Sequence, residues 1–141
     1  MTMKTATLFR WVTLFALVGL GRMSAALEWT DKEISVEVQR DLQKEVRAKF
    51  EFRNTGPKTV TILGVTTSCG CTVANPESST VASGDKSNVQ ALFTIADRHG
   101  RQEKIITVET DDPENPKIVL MLRINLLEPT QSPPNSTKPR A

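Results

Sequence analysis

Apolar and charged residues alternate without a break over residues 46–53, VRAKFEFR. A period of two places the apolar side chains on one face of a β-strand and the charged side chains on the other. Three turn-forming residues, Asn54, Gly56 and Pro57, follow at once. They end the strand, because proline lacks an amide hydrogen and glycine tolerates positive φ. The segment therefore predicts a half-buried strand.

Five further segments carry strand patterns, with turn residues between them. Strands are predicted over residues 32–39, 58–68, 88–96, 102–110 and 117–127. Residues 74–86 are predicted to form a loop, with a tight reversal at 83–85, and further turns are predicted at 97–100 and 111–116. Short strands separated by such turns are typical of β-sandwiches. We therefore expect an all-β, immunoglobulin-like antiparallel β-sandwich of about seven strands.

Two of these segments make more specific predictions about which face each residue occupies. In the second strand, Val60 and Ile62 are predicted on one face, and Leu63 and Val65 on the other. The last strand, residues 117–127, has apolar residues on both faces. It is either a central strand buried on both sides or a strand whose outer face meets a partner, and burial is the favoured interpretation.

The N-terminus has the pattern of an export signal. Basic residues precede an apolar run over residues 11–21, and Ser24 and Ala26 are spaced as in an A-x-A cleavage site. We expect cleavage after Ala26 and a periplasmic or extracellular location, with an uncleaved anchor as the alternative. The apolar run is shorter than the roughly 20 residues that a spanning helix needs. No transmembrane segment is therefore expected after cleavage.

The C-terminal residues 129–141 are rich in proline, serine and threonine and contain almost no apolar side chain. Such a segment cannot bury enough surface to offset the entropy lost on ordering. The predicted organisation is a signal peptide over residues 1–26, one sandwich domain over residues 27–128 and a disordered tail over residues 129–141.

The charge of the chain argues against nucleic-acid binding. The sequence has 18 basic and 16 acidic residues, for a net charge of +2. Residues 1–26 hold three of the bases and no acid, so their removal leaves a net charge of −1. With no basic stripe and no run of aromatic residues, the chain offers little to phosphates or stacked bases. A protein at the cell envelope is the expected partner.

Cys69 and Cys71 are the only cysteines in the sequence, and Gly70 separates them. Residues i and i+2 of a strand lie about 6.6 Å apart, near the upper limit of Cα separation for a disulfide. Gly70 lets the backbone bend and close the gap, so a Cys69–Cys71 disulfide is feasible but strained. It would stabilise the fold little, because it closes a very short loop. Export favours oxidation of the pair.

Two alternatives for these cysteines stay open: a thiol redox role and a metal site. Zinc requires four ligands, and the one histidine, His99, is a predicted loop residue. Two thiolates would better suit Cu(I), with Met121 as a candidate third soft ligand. We expect no cofactor, and copper is the alternative.

Catalytic patterns are missing from the sequence. It has one histidine and no tyrosine, and it contains neither a nucleophile elbow nor a phosphate-binding glycine loop. Asp111 and Asp112 could act as a pair, but they fall in a predicted turn. We therefore expect a protein that is not an enzyme.

Three groups of residues form a specific pattern: Asn54-Thr55-Gly56, Ser68-Cys69-Gly70-Cys71-Thr72, and Gly84 in the reversal. With this pattern the chain resembles a bacterial family called domain of unknown function 1573 over roughly residues 28–127. Two sites depart mildly from the family pattern: Ser83 and Asp85 replace its proline and glutamate, and Asp111 stands where asparagine is common.

This resemblance implies an exported immunoglobulin-like sandwich of the major sperm protein and Hydin type, whose biochemical role is open. By analogy with such sandwiches, we expect a non-enzymatic binding or structural module. Addition of a strand at an exposed sheet edge is one mode of binding open to it. The alternative is a thiol redox or Cu(I)-binding protein that uses Cys69 and Cys71.

Overall fold

The computed structural model describes residues 27–129. The predicted signal peptide, and the predicted tail apart from Pro129, lie outside these residues. No helix within residues 27–129 is long and apolar enough to cross a membrane. The described strands are β1 (Leu27–Trp29), β2 (Glu33–Gln39), β3 (Glu45–Asn54), β4 (Val60–Thr67), β5 (Thr72–Pro76), β6 (Thr80–Val81), β7 (Lys86–Thr94), β8 (Gly100–Thr110) and β9 (Lys117–Leu127).

The strands form two sheets that pack face to face. One sheet has the order β1-β3-β7-β5 and the other the order β2-β9-β8-β4-β6. Neighbouring strands are antiparallel except β2 and β9, which are parallel. This pair arises because the chain leaves the first sheet after β1 and enters the second as β2, beside the last strand. The prediction of an all-β, immunoglobulin-like sandwich is confirmed.

The core consists of the inward-facing residues of both sheets. In β3, burial alternates residue by residue, as the sequence pattern predicts. Each fully buried apolar side chain stabilises the fold by about 1.5–3 kcal/mol relative to an exposed one. In the three longest alternating segments, every second residue is apolar and buried: Val46, Ala48, Phe50 and Phe52 in β3, Val89, Ala91, Phe93 and Ile95 in and after β7, and Ile118, Leu120, Leu122, Ile124 and Leu126 in β9.

Strand β4 departs from the predicted alternation at Leu63. Its pairing with β8 shifts between Ile62 and Gly64, so Leu63 is the extra residue of a β-bulge. The bulge moves the following residues to the opposite face. Leu63 is 66% exposed, whereas Val65 packs against the core. The prediction that these two residues share a face was therefore wrong.

Two further predictions need correction. Residues 74–86 are not all loop, since they contain most of β5 and the whole of β6. β9 is a central strand between β2 and β8, but its outer face is not buried throughout. Val119 on that face is 55% exposed and Met121 is partly buried. The favoured interpretation of burial on both sides was wrong for Val119.

The turn between β8 and β9 is tied to the start of β4 by Asp111. Its Oδ1 accepts a hydrogen bond from the Thr61 amide at 2.7 Å, and its own amide donates to the Thr61 carbonyl at 3.0 Å. The backbone hydrogen bond from Thr61 is the main reason that the pKa of Asp111 is lowered. Because an ionised carboxylate is the better acceptor, this contact is strongest above the pKa.

Stability should therefore fall in acid, and Asp111→Asn should reduce that fall. The folded pKa lies below the unfolded one, so the stabilisation is fully present above the unfolded pKa and is lost as the pH falls through the folded pKa. The asparagine variant keeps an acceptor oxygen but cannot titrate. Urea unfolding between about pH 5 and pH 2 measures the effect. If the free energy of unfolding decreased equally in acid for the wild type and for Asp111→Asn, this prediction would be contradicted.

Candidate functional site

Cys69 and Cys71 form a disulfide in the turn between β4 in one sheet and β5 in the other. The Thr72 amide donates to the Cys69 carbonyl at 3.3 Å, which makes these residues a tight reversal rather than an extended strand. The two Cα atoms are consequently 5.3 Å apart, well inside the range of about 4.4–6.8 Å seen in disulfides. The strand spacing of about 6.6 Å does not apply here, because the chain bends between the two cysteines.

Hydrogen bonds hold this turn independently of the disulfide. The Thr67 hydroxyl lies 3.0 Å from the Cys69 carbonyl oxygen and 2.8 Å from that of Thr72. Ser68 Oγ accepts from the Ile105 amide at 3.1 Å, which fixes the turn to β8. The buried Thr72 hydroxyl lies 3.8 Å from Cys69 Sγ and 4.0 Å from Cys71 Sγ. The sequence motif around the cysteines therefore supplies the contacts that shape the turn.

Removing the disulfide should have a modest effect on stability. We expect Cys69→Ser combined with Cys71→Ser to lower the free energy of unfolding by about 1–2 kcal/mol, because so short a loop restricts the unfolded chain little. Urea unfolding of the oxidised wild type and of the variant measures the difference. Alkylation before reduction confirms that the wild type was oxidised. A loss above about 4 kcal/mol would contradict the prediction.

Asn54 organises a second corner of the sandwich, at the end of β3. Its side chain is fully buried. Nδ2 donates to the carbonyls of Lys58 and Val81 at 2.8 Å each, and Oδ1 accepts from the Gly56 amide at 3.0 Å. The Asn54 carbonyl also accepts from the Gly84 amide at 2.7 Å. The Asn54-Thr55-Gly56 motif and the 83–85 reversal are thus parts of one hydrogen-bonded corner.

The two motif glycines Gly70 and Gly84 should respond differently to alanine. Gly84 has a φ of 86°, where side chains are disfavoured, so Gly84→Ala should lower the free energy of unfolding by about 1 kcal/mol. The φ of Gly70 lies outside that region, and a Cβ there would have no neighbour within 4 Å. Gly70→Ala should therefore be close to neutral. Urea unfolding of both variants and of the wild type measures the two effects. Equal losses in the free energy of unfolding for Gly84→Ala and Gly70→Ala would contradict the prediction.

The two motif corners lie at opposite ends of the sandwich. Along β7, the Asn54 amide donates to the Asp85 carbonyl, whereas the Cys71 carbonyl accepts from the Thr94 amide. Nine residues separate these points, which corresponds to about 30 Å of strand. The residues that carry the family resemblance therefore do not converge on one site. They fix two corners of the fold.

The remaining candidate ligands and catalytic groups are also dispersed. His99 is exposed, and its Nδ1 lies 2.8 Å from Glu128 Oε1, which is the main reason that the pKa of Glu128 is lowered. Met121 lies on the outer face of β9, and β8 separates this strand from β4 and the cysteine turn. Within residues 27–129, no three His, Cys, Asp or Glu side chains are grouped to hold a metal ion.

Three of the four outermost strands of the two sheets are short or obstructed. β1 has three residues and β6 has two. β5 has five residues and ends at Pro76, which has no amide hydrogen. The Thr72 carbonyl at its other end already accepts from Thr67. Natural sheets avoid unwanted pairing by such means.

The fourth edge, β2, is long and unobstructed. It has seven residues, contains no proline and pairs with β9 without a register shift from Glu33 to Gln39. The Met121 amide donates to the Lys32 carbonyl, and the Arg40 amide donates to the Leu127 carbonyl. Even-numbered residues of β2 therefore bond to β9, and the alternation turns the amides and carbonyls of Glu33, Ser35 and Glu37 outward. We call this strip the β2 edge.

The side chains of the β2 edge have two characters. Ile34 and Val36 point towards the core but are only partly buried, because no strand follows β2 in its sheet. On the outer face, Glu33 forms an ion pair with Arg123, and Glu37 accepts from Asn125 Nδ2 at 3.1 Å. The sequence alone could not identify this edge, since its alternation is the same as that of a central strand with one face in water.

Comparison with solved structures shows the same fold in diverse proteins. A protein of unknown function from Porphyromonas gingivalis W83 superposes with a TM-score of 0.62 and 19% identity, over 77% of this chain and 51% of that one. This chain thus spans about half the length of that protein. The ASH/PapD-like domain of human CEP192 gives a TM-score of 0.60 and 14% identity, over 91% and 99% of the two chains. The Vibrio cholerae VesB protease gives a TM-score of 0.56 and 14% identity, over 71% of this chain and 32% of that one.

Identities this low show a shared fold alone, and the fold occurs in a protease as well as in a PapD-like domain. No curated protein matches the sequence. The family of proteins of unknown function designated DUF1573 matches residues 27–125, which include both motif corners and all nine strands but for the last two residues of β9. The chain belongs to this family.

Proposed function

We propose that this chain is an exported, non-enzymatic binding module that holds an extended segment of a partner protein at the β2 edge. The single observation that carries the proposal is the unobstructed edge itself. Glu33, Ser35 and Glu37 present amides and carbonyls in a row with strand spacing. An added strand would satisfy these groups through its own backbone.

The half-buried side chains beneath the edge indicate what kind of segment would fit. Ile34 and Val36 leave apolar surface at the side of the sandwich. A segment with apolar residues at alternate positions would cover this surface, since alternate side chains of an added strand face the core. The acidic residues Glu33 and Glu37 on the outer face favour basic residues at the intervening positions.

Export and the lack of catalysis are part of the same proposal. The leader pattern of residues 1–26 supports export, and the disulfide is consistent with an oxidising compartment. Among residues 27–129, Asp111 and Asp112 take part in turn hydrogen bonds, and His99 pairs with Glu128. The thiol or Cu(I) alternative would require reduction of Cys69 and Cys71, which are joined here.

Photo-crosslinking in the native host tests the proposal. A benzophenone amino acid at Glu37 should give a discrete adduct with a second polypeptide chain on irradiation. Ser35→Pro should abolish this adduct, because it removes an outward amide hydrogen without breaking a bond to β9. Ser83→Pro is the control for proline substitution as such, since residue 83 precedes Gly84 in a turn that accommodates proline and is not part of β2. It removes the hydrogen bond that the Ser83 hydroxyl donates to the Gly56 carbonyl, and it leaves the backbone of β2 unchanged. An adduct that survives Ser35→Pro, or none with the wild type, would refute the proposal.

A further inference from the structure

A second unpaired edge lies on the same side of the sandwich. β1 covers only Phe52 to Asn54 of β3, and the Thr30 amide bonds to the Glu51 carbonyl beyond it. The Ile95 amide donates to the Lys44 carbonyl, so the amides and carbonyls of the even-numbered residues of β3 bond to β7. Within residues 27–129, the amides and carbonyls of Glu45, Arg47 and Lys49 consequently point outward with no strand beside them. We call this strip the β3 edge.

The two edges have opposite charge. The outer face of the β2 edge carries Glu33 and Glu37, whereas that of the β3 edge carries Arg47 and Lys49 besides Glu45. The Arg47 side chain is 82% exposed, and its ion pair with Glu45 is a weak surface pair at 3.6 Å. Both edges therefore have outward amides and carbonyls. The side chains on the outer face have a net negative charge at the β2 edge and a net positive charge at the β3 edge.

We propose that a second copy of this chain occupies both edges, in a two-fold dimer where the β2 edge of each copy pairs with the β3 edge of the other. The inference rests on the proposed strand addition and names one partner for it. A two-fold axis along the strands brings the β2 edge against the partner's β3 edge and repeats the contact on the other side. Such a contact closes on itself and does not propagate into a filament.

The loop between β2 and β3 sets the register of this contact. Residues 40–44 connect β2 to β3 and reverse the chain. We therefore place Gln39, the last residue of β2, level with Glu45, the first residue of β3. Rotation about an axis along the strands keeps each residue at its own level. Gln39 therefore lies opposite the partner's Glu45, and Glu37 opposite the partner's Arg47.

The rest of this register is also compatible. The partner's Lys49 falls opposite Ser35, where it is diagonal to both Glu33 and Glu37. The Thr30 amide already bonds to the Glu51 carbonyl, so the pairing ends at Ser35 and the partner's Lys49, and the like charges of Glu33 and the partner's Glu51 lie beyond its end. On the inner face, Val36 comes beside the partner's Ala48, and Val38 beside the partner's Val46. Over the paired residues 35–39 and 45–49, the contact is therefore apolar on the inner face, and on the outer face it sets Glu37 against the partner's Arg47.

A charge swap at the one opposed ion pair tests the dimer. Glu37→Arg alone places an arginine opposite the partner's Arg47, and Arg47→Glu alone sets two glutamates against each other. Sedimentation of the purified full chain should show that each single variant dissociates about tenfold or more readily than the wild type. The double variant should recover wild-type dimerisation. An equimolar mixture of the two single variants should form a heterodimer, in which one of the two contacts pairs the swapped charges and the other keeps the native ones. Free energies of unfolding in urea within about 0.5 kcal/mol of the wild type would show that these exposed substitutions leave the fold intact.

Two results would overturn the dimer. The first is a wild type that stays monomeric up to about 1 mM, the limit of weak association. The second is dimerisation that Arg47→Glu leaves unchanged, since this would place β3 outside the contact. A monomer whose crosslink to another protein is lost with Ser35→Pro rejects the dimer but keeps the proposed strand addition. A charge-sensitive dimer that crosslinks only to itself supports the dimer and rejects a different partner protein.

Discussion

Asn54→Ala is expected to lower the free energy of unfolding by about 3 kcal/mol or more. The substitution removes hydrogen bonds to the carbonyls of Lys58 and Val81 and from the amide of Gly56. A buried group left without its partner costs about 1–3 kcal/mol. Small domains are stable by only about 5–15 kcal/mol, so this one change removes a large share of the total. Urea unfolding measures the loss.

Two variants separate the hydrogen-bonding role of Asn54 from a general effect of truncation. Asn54→Asp keeps the acceptor for Gly56 but loses both donated bonds and buries a charge, so it should be at least as destabilising as alanine. Asn75→Ala removes an exposed amide from β5 and should change stability by less than about 0.5 kcal/mol. Similar effects of Asn54→Ala and Asn75→Ala would contradict this account of the corner.

Phe93→Ala is expected to lower the free energy of unfolding by about 3–5 kcal/mol. Phe93 is fully buried in β7, opposite both Val46 of β3 and Thr72 of β5. Lys104 Nζ and Arg98 Cζ lie 5.4 and 5.8 Å from the centre of its ring. Truncation would leave a cavity and remove these cation–π contacts.

The controls for Phe93 separate volume from ring chemistry. Phe93→Leu keeps most of the volume but loses the cation–π contacts, so it should lie between the wild type and alanine. Val73→Ala truncates a residue on the neighbouring strand that is 57% exposed, and it should be nearly neutral. An alanine variant at position 93 that unfolds at the same urea concentration as Val73→Ala would contradict the packing described here.

The alternating strands could be predicted from sequence because their pattern reflects burial directly. β3 and β7 each have one face in the core, so a period of two is enough to assign their inward apolar residues. The buried polar residues Asn54 and Ser87 were not assigned in this way. The bulge at Leu63 could not be found in this way. It depends on the pairing of β4 with β8, and Leu63 is as apolar as the residues that do face the core.

The candidate site was less predictable than the fold. Cys69 and Cys71 were visible as a pair, but their Cα separation depends on a turn that the hydrogen bond from Thr72 to Cys69 creates. The β2 edge depends on the order of strands in the sheet, which a single sequence does not contain. Its alternation of Ile34, Val36 and Val38 would be the same for a strand with neighbours on both sides.

Residue-resolved amide hydrogen exchange of β2 in dilute protein tests the central claim, that this strand is an unpaired edge open to a partner. The amides of Ile34, Val36 and Val38 bond to β9 and should exchange slowly. The amides of Ser35 and Glu37 point outward and should exchange rapidly. This odd–even alternation is the result that the account predicts. Slow exchange at Ser35 and Glu37 in the monomer would contradict it, because the chain itself would then already cover the edge.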